Sequence, residues 1–519
     1  FRLLTGGSRT ALTRQQTLKA TLDWSYDLLT DREQALLRRL AVFAGGFPLE
    51  AAEAIGAGAG LEAGDIFDLL SRLVAKSLVV AEQHGALIRY RLLETVRQYS
   101  AAKLRDADEE TTVRARHLDY FLALATRADP HLRGPHQEQW LSTLKQERDN
   151  LRAALEWSLG RQEPRSNAAR RGDHEQSDHR QRTTDSGPWI TGLRLALALC
   201  WFWYLDGGLS EGRTWFERAL ASTGETERTW ARAMALYGAG RIALHQTDLA
   251  TARARLEASC TLLRDAGEPH DLAMALFILS VVAVNQGDDQ AALSCLQESQ
   301  ELFRTVEDRE YYALSLMHRG DVALRRGEWA AARTCYEEAL SIHRQLGGMW
   351  GVAQLQNNLG EVARCEGDYR RAARFYEESL ASFRELGSTS GDIARSIHNL
   401  GYVAHAQGDE DQARACFTES LRLFQERGSK RGIVECIAGV AGVVSAQGQV
   451  ERAARLLGAA AAHFEAIGAA MWPADRIEYE RTVAAVRAVL GEAAFAAAWG
   501  VGRALTLEQA IAEAFGAPK

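Results

Sequence analysis

Apolar and polar positions follow a helical period along most of the chain, and from about residue 231 to 465 the pattern repeats. The run "QNNLGEVARCEGDYRRAARFYEESLASFRELG" (356–387) shows the unit: two stretches with apolar residues three and four apart, split by Gly367-Asp368. Such turns recur at Thr247-Asp248, Gly287-Asp288, Gly327-Glu328, Gly367-Asp368, Gly408-Asp409 and Gly448-Gln449, in steps of 40, 40, 40, 41 and 40 residues. Five residues after each turn glycine stands a small side chain: Ala292, Ala332, Ala372, Ala413, Ala453. Nine after stands a bulky one (Leu296, Tyr336, Tyr376, Phe417, Leu457), and twelve after a small one again (Ser299, Ala339, Ser379, Ser420, Ala460). Seven before each turn lies Gly240, Ser280, Gly320, Gly360, Gly401 or Ala441.

These offsets share one helix stripe, so small residues let two backbones approach while the larger one fills the gap. The turn glycine can end the first helix at positive φ, and the acid after it favours the start of the second. Each unit is therefore an antiparallel helix pair whose apolar stripes are covered only by stacking on neighbours, which predicts a solenoid. The small-large-small positions resemble tetratricopeptide repeats in a 40-residue form. "WFWYLDGGLSEGRTWFERAL" (201–220) reads as an earlier, divergent unit turning at Gly207-Gly208, and residues 466–519 as C-terminal capping helices. The expected fold class is mainly α: a tetratricopeptide-like right-handed helical solenoid over 189–465, preceded by a small winged-helix domain.

That domain occupies 18–105, where the rhythm differs. Leu18, Leu22, Tyr26 and Leu29 line one helix, and Thr30 with Glu33 forms a capping-box pattern before Leu36, Leu37, Leu40 and Phe43. Pro48 opens a third helix. "DIFDLLSRLVAKS" follows, then two short strands, "SLVV" and "LIRYRL", around a Gln83-His84-Gly85 turn, then a helix from about Glu94. Helices followed by a hairpin form a winged-helix pattern, which often places a helix in the DNA major groove. Here the helix in that position carries Asp65 and Asp68 beside Arg72 and Lys76, and phosphate contact wants a denser basic face, so direct DNA binding is not expected. Residues 106–160 supply bridging helices with Trp140, Leu144, Leu151, Leu155 and Trp157 as apolar contacts. The segment 161–188 is polar and charged and is expected to be a disordered insert.

Composition narrows the function classes. The net charge of -7 gives no global drive toward nucleic acid. The most apolar run, "GLRLALALCWFWYL", contains Arg194 and is too short to span a membrane. Seven cysteines lie singly with no C-x-x-C pair, and no H-E-x-x-H occurs, so neither metal nor disulfide framework is expected and a cytoplasmic location fits. Cys295, Cys335 and Cys416 share one repeat position and read as small core residues. No G-x-x-x-x-G-K-[ST] loop, nucleophile elbow or metal motif appears, so no enzyme, cofactor or catalytic residue is assigned.

Arrays of this kind usually expose the first helix of each pair on a concave surface. Positions three before and one after the first-helix glycine give candidate binding residues Tyr237, Arg241, Met317, Asp321, Asn357, Glu361, His398 and Tyr402, with Arg364 one turn on. This mixed polar and aromatic set suits a protein, peptide or small-molecule effector.

Several phrases are more specific still. "FRLLTGGSRTALTRQQTLKATLDWSYDLLTDREQALLRRLAVFAGGF", "LVAKSLVV", "RYRLLETVRQYS" and "RDNLRAALEWSL" closely resemble segments of bacterial STAND-type signalling ATPases, some of them LuxR-family-like regulators. The resemblance implies a nucleotide-binding module, then a winged helix, then tetratricopeptide repeats. Because the phosphate loop is absent and the chain opens on Phe1, we read it as a fragment, with 1–17 the tail of the ATPase helical subdomain and ATP or ADP expected only in the full-length parent. The implied role is a sensor or scaffold that relays partner or ligand occupancy to the missing nucleotide module. The alternative is a constitutive adaptor without ligand-controlled switching.

Overall fold

The computed structural model describes residues 19–84, 87–133, 136–160, 187–223, 229–388, 390–468 and 470–515. The expected ATPase-subdomain tail (1–17), Gly85 of the expected hairpin turn and nearly all of the expected insert (161–186) lie outside these residues. The chain divides into two compact units, 1–133 with 137–266, and 134–136 with 267–519.

The first unit begins with helix α1 (residues 19–27), then α2 (Asp31–Leu40), β1 (Phe47–Pro48), α3 (Leu49–Gly56), α4 (Ala63–Ala75), β2 (Val80–His84), β3 (Leu87–Arg91) and α5 (Glu94–Asp106). The strands form an antiparallel sheet in the order β1-β3-β2, with Ala81 opposite Tyr90 and Phe47 opposite Tyr90 on its other side. Thr30 and Glu33 complete the capping box: the Thr30 amide donates to Glu33 Oε2 at 2.8 Å, and Lys76 Nζ reaches the same carboxylate at 2.8 Å. Leu36, Leu40, Phe43, Phe47, Ile55 and Ile66 are buried at the centre. Two details differ from the sequence reading. "SLVV" contributes only Val80 to a strand, and Phe47-Pro48 pairs as an extra edge strand, with Pro48 capping α3 rather than opening it.

Asp65 on α4 is paired with Arg32, and Lys76 at its C-cap with Glu33, so these two charges are already engaged within the domain. Helices α6 (Glu110–Ala128), α7 (Gln137–Gln146) and α8 (Arg148–Leu159) follow. The start of α8 is tied to the sheet edge: Asn150 Nδ2 donates to the Gly46 carbonyl at 2.9 Å, Arg89 Nη2 donates to it at 2.7 Å, and Arg89 Nη1 meets Glu147 at 2.5 Å. Leu144, Leu151, Leu155 and Trp157 are buried and Trp140 is half-buried. Then come α9 (Pro188–Ala198), α10 (Cys200–Asp206), α11 (Leu209–Ser222), α12 (Trp230–His245) and α13 (Leu249–Ala266).

The second unit is built of helix pairs: α14 (Pro269–Asn285) with α15 (Asp289–Thr305), α16 (Arg309–Arg325) with α17 (Trp329–Leu346), α18 (Met349–Cys365) with α19 (Tyr369–Glu385), α20 (Ser390–Ala406) with α21 (Glu410–Glu426), and α22 (Lys430–Ala446) with α23 (Val450–Ile467). Gly367 sits at φ 78° and Gly408 at 79°, the left-handed conformation that lets each first helix stop and the chain reverse. The next residue then caps the second helix, as where Asp368 accepts the Arg371 amide at 3.0 Å. Within each pair the repeated positions meet. A methyl group on Gly360 would stand 2.5 Å from the Tyr376 ring, and one on Gly401 2.9 Å from Phe417. The serines twelve after the turn bond as well as yield space: Ser299 Oγ donates to the Ala273 carbonyl at 3.0 Å and Ser420 Oγ to that of Ala394 at 2.8 Å. The chain closes with α24 (Pro473–Leu490), α25 (Glu492–Arg503) and α26 (Leu507–Phe515).

Candidate functional site: a polar face closed by helix α24

The first helices α16, α18, α20 and α22 present stripes at every third or fourth residue. On α20 the stripe is Arg395, His398, Tyr402 and His405, and on α18 it is Gln354, Asn357, Glu361 and Arg364. Both faces were expected to meet solvent. The structure corrects this: α24 packs against α18, α22 and α23, and so lies along the first-helix face, while α25 packs on α23 and α24, and α26 on α22 and α23. Pro473 starts α24 without loss of a hydrogen bond, and Ala474, buried, slots into the core that contains Leu359, Val362 and Cys365. Val486, Tyr479 and Val483 join the apolar cluster of α22 and α23.

Asp475 is what α24 delivers to the face. Its carboxylate pairs with Arg364 Nη2, approaches His398 Nε2 at 3.3 Å and lies 3.8 Å from Arg395 Nη1. Arg364 also contacts Glu361 at 3.3 Å and stacks its guanidinium 4.5 Å from the centre of the Tyr402 ring. Asn399 Nδ2 donates to Glu361 Oε1 at 2.8 Å and to Asn357 Oδ1 at 3.1 Å. On the far side Arg395 donates to Glu435 at 2.5 Å and Arg431 to the same carboxylate at 2.9 Å. The Arg364 side chain is fully buried and Asp475 nearly so. Burial alone would raise the Asp475 carboxyl, but Arg364 and then His398 outweigh it and hold it far below the usual carboxylate range. Glu361 goes the other way: burial, ahead of the attraction of Arg364, raises it. Cys436, also buried in this layer, has its thiol pushed up to about 12 by burial, which makes it a packing residue and not a nucleophile.

Of the sequence-predicted site residues, Arg364, His398 and Tyr402 therefore lie beneath α24. Met317, Asp321, Asn357 and Glu361 line a cavity of about 330 Å³ beside its N-terminal end, together with Arg395 and Trp472. Asp321 Oδ1 accepts the Tyr336 hydroxyl at 2.7 Å, and burial raises its carboxyl. Tyr237 and Arg241 belong to the other unit, where both are buried and the Arg241 guanidinium stands 5.5 Å from the Tyr237 ring centre. Sequence reasoning missed Arg395, Trp472 and Asp475. Extending the α20 stripe one turn toward its start would have found Arg395. Asp475 lies 111 residues from Arg364, outside any repeat, and nothing local marks it.

Comparison with known proteins follows the same division. Residues 271–345, 311–385, 351–426 and 392–466 each match the tetratricopeptide repeat family, and residues 29–105 match the winged helix-turn-helix domain family. The chain carries a winged helix followed by tetratricopeptide repeats. Neither match is to a catalytic domain. A Mycobacterium tuberculosis protein named as a candidate HTH-type transcriptional regulator is 42% identical over 220 residues, 42% of this chain and 22% of the relative. An uncharacterised M. tuberculosis protein is 45% identical over 118 residues, 22% of this chain and 30% of that protein. The chain thus spans under a third of the length of these curated relatives. Among solved structures, a Pyrococcus horikoshii signal transduction ATPase with numerous domains and a tetratricopeptide repeat sensor aligns over 92% of this chain and 66% of its own, at 15% identity and TM-score 0.46. A Rap protein complexed with Competence and Sporulation Factor aligns over 73% of this chain and 99% of its own, at 14% identity and TM-score 0.43. No helix among the described residues is long and apolar enough to cross a membrane.

Proposed function

We propose that this chain is the sensor and scaffold part of a signalling regulator whose full-length form carries a nucleotide-hydrolysing module. The observation that carries this reading is the polar cavity on the first-helix face of the repeats, lined by Asp321, Asn357, Glu361 and Arg395. Its acids and bases are already fixed by neighbours, as a receiving surface needs if recognition is to cost little ordering. The likeness to a mycobacterial regulator candidate supports a regulatory setting, and the STAND-like phrases in 1–159 support the nucleotide module. The nucleotide, ATP or ADP, belongs to that module and not to this chain. In this account a ligand or partner on the repeats shifts the equilibrium of the winged helix against the nucleotide module, and nucleotide binding reports the shift. DNA reading by α4 is not part of the account, since Asp65 and Asp68 stand on it and Lys76 is engaged by Glu33.

The test uses the full-length parent with Asp321→Asn, which is isosteric, or Trp472→Phe, which keeps an aromatic ring. Its affinity for ADP, measured by calorimetry in the presence of cell-extract small molecules and proteins, changes by about fivefold or more between wild type and either variant if the face is coupled to nucleotide. Identical ADP affinities in all three proteins would overturn the relay and leave a constitutive adaptor.

A further inference from the structure

Helix α24 is not the next step of the array. That place belongs to α25, which packs on α23 backbone to backbone: a methyl group on Gly458 would strike the Trp499 carbonyl, and one on Gly502 the Arg455 carbonyl. Beside it α26 is fastened by Arg455, whose Nη2 donates to Glu513 Oε1 at 2.6 Å, and by Arg452, whose Nε donates to the Glu513 carbonyl at 3.0 Å. Phe495, Ala510 and Ala514 of these two helices are buried in the apolar cluster of α22 and α23. Helix α24 is a segment inserted between α23 and α25. It leaves the stack after Gly468 (φ 63°) and rejoins it at Gly491 (φ 77°), two positions where the chain reverses through the left-handed region.

The two halves of α24 are seated differently. The C-terminal half shares the apolar cluster of α22 and α23 through Val483 and Val486. The N-terminal half reaches α18, and its buried side chains are Pro473, Ala474, Asp475 and Glu478. Two of these four are carboxylates, three residues apart and so on one side of the helix. Asp475 takes Arg364 and His398, with Arg395 at 3.8 Å, and Glu478 Oε1 accepts the Tyr369 hydroxyl at 2.7 Å. Asp475 also stands in the first turn, where the helix N-terminus favours a negative charge. The seat therefore reads a small side chain, an acid next to it and a second acid three residues on. That is helix-in-groove recognition, carried out here within one chain.

Resting on the proposed sensor role, we propose that the first-helix face is a docking groove for an acidic helical segment of a partner protein, and that the N-terminal half of α24 is its built-in competitor. The partner segment presents a small residue, an acid and a second acid three residues later, and sets its first acid on Arg364 and His398 where Asp475 now lies. Because α25 and α26 hold α23 through contacts of their own, α24 can be replaced without dismantling the end of the array. Trp472, the residue before α24, lines the cavity that also holds Asp321 and Asn357, so the exchange removes one wall of that cavity and couples the two parts of the face. The tether keeps α24 at an effective concentration on the order of millimolar, so a free segment takes the seat only if it binds more tightly or if α24 is weakened.

The probe is a dye-labelled synthetic peptide with the sequence of residues 470–490, and its binding to the full chain is followed by fluorescence anisotropy. In the wild type the tethered α24 keeps the seat. Chains carrying Asp475→Asn or Glu478→Gln have a weakened tether and are expected to bind the peptide at least about tenfold more tightly than the wild type does. The same peptide made with Asp475→Asn binds these chains at least about tenfold more weakly. Adding the unaltered peptide speeds amide exchange over Pro473–Leu490 while α22 and α25 stay slow, which separates displacement of α24 from loss of fold. Failure of both variants to bind the peptide, equal binding of the two peptides, or α24 exchange unchanged by bound peptide would overturn the proposal. The ADP-affinity test of the sensor role uses neither these peptides nor these variants, so that role stands or falls separately.

Discussion

Gly360 and Glu361 are neighbours on α18, yet they face two different worlds. Gly360 looks into the seam between α18 and α19, where Tyr376 fills the space its missing side chain leaves. Glu361 looks onto the first-helix face, where its partners are Arg364, Asn399 and, through Arg364, Asp475. The seam is made of shape: small residues, buried rings and a few serine hydroxyls on carbonyls. The first-helix face is made of charge held away from water. Hydrophobic burial and close packing reward the first arrangement outright, whereas ion pairs out of water roughly offset their own desolvation. The array thus draws its stability from the seams and leaves the face free to be specialised.

The difference can be broken most severely at the seam. Tyr376→Ala removes a fully buried ring and should cost about 3–5 kcal/mol of stability, read from urea denaturation of the full chain. Tyr376→Phe should cost far less, because the Tyr376 hydroxyl is buried without a partner. On the face, Asp475→Ala should cost about 3 kcal/mol by stranding Arg364, at the low end because Glu361 remains beside it. The paired replacement Arg364→Met with Asp475→Leu should recover most of that loss, whereas no second polar change repairs Tyr376→Ala.

Acid sharpens the contrast. Asp475 has its folded-state pKa depressed below its ordinary 3.8, so its contribution is present above that value and is lost as pH falls below it toward the folded pKa. Asp475→Asn should remove this part of the acid dependence, and Tyr376→Ala should keep it; denaturation midpoints compared across that range decide. The smallest effect is expected at the turn. Asp368→Ala removes the cap on α19 and should cost about 1 kcal/mol by the same denaturation measurement.

The seam was legible because it is local. Gly360 and Tyr376 are 16 residues apart, and their identities recur with the repeat, so periodicity alone pairs them. The winged-helix core was legible for the same reason, from the capping box at Thr30 through Leu36, Leu40 and Phe43. The edge strand at Phe47-Pro48 was not, since two residues carry no period and its pairing with Tyr90 and Arg89 is made at a distance. The first-helix face was half legible. Of the residues flanking the repeat glycines, Met317, Asp321, Asn357 and Glu361 line one cavity. What covers the rest of the stripe was hidden, because α24 carries no repeat signature and Asp475 gains its meaning only from Arg364 and His398. Exposure was therefore assigned where burial is found.

Everything said of the site depends on α24 occupying the first-helix face in the intact chain. Amide hydrogen exchange over Pro473–Leu490 tests this directly. Slow exchange through the Asp475–Val486 stretch, comparable with α22 against which it packs, is the predicted result. Exchange there as fast as in an exposed helix end would mean that the face stands open and would contradict the account.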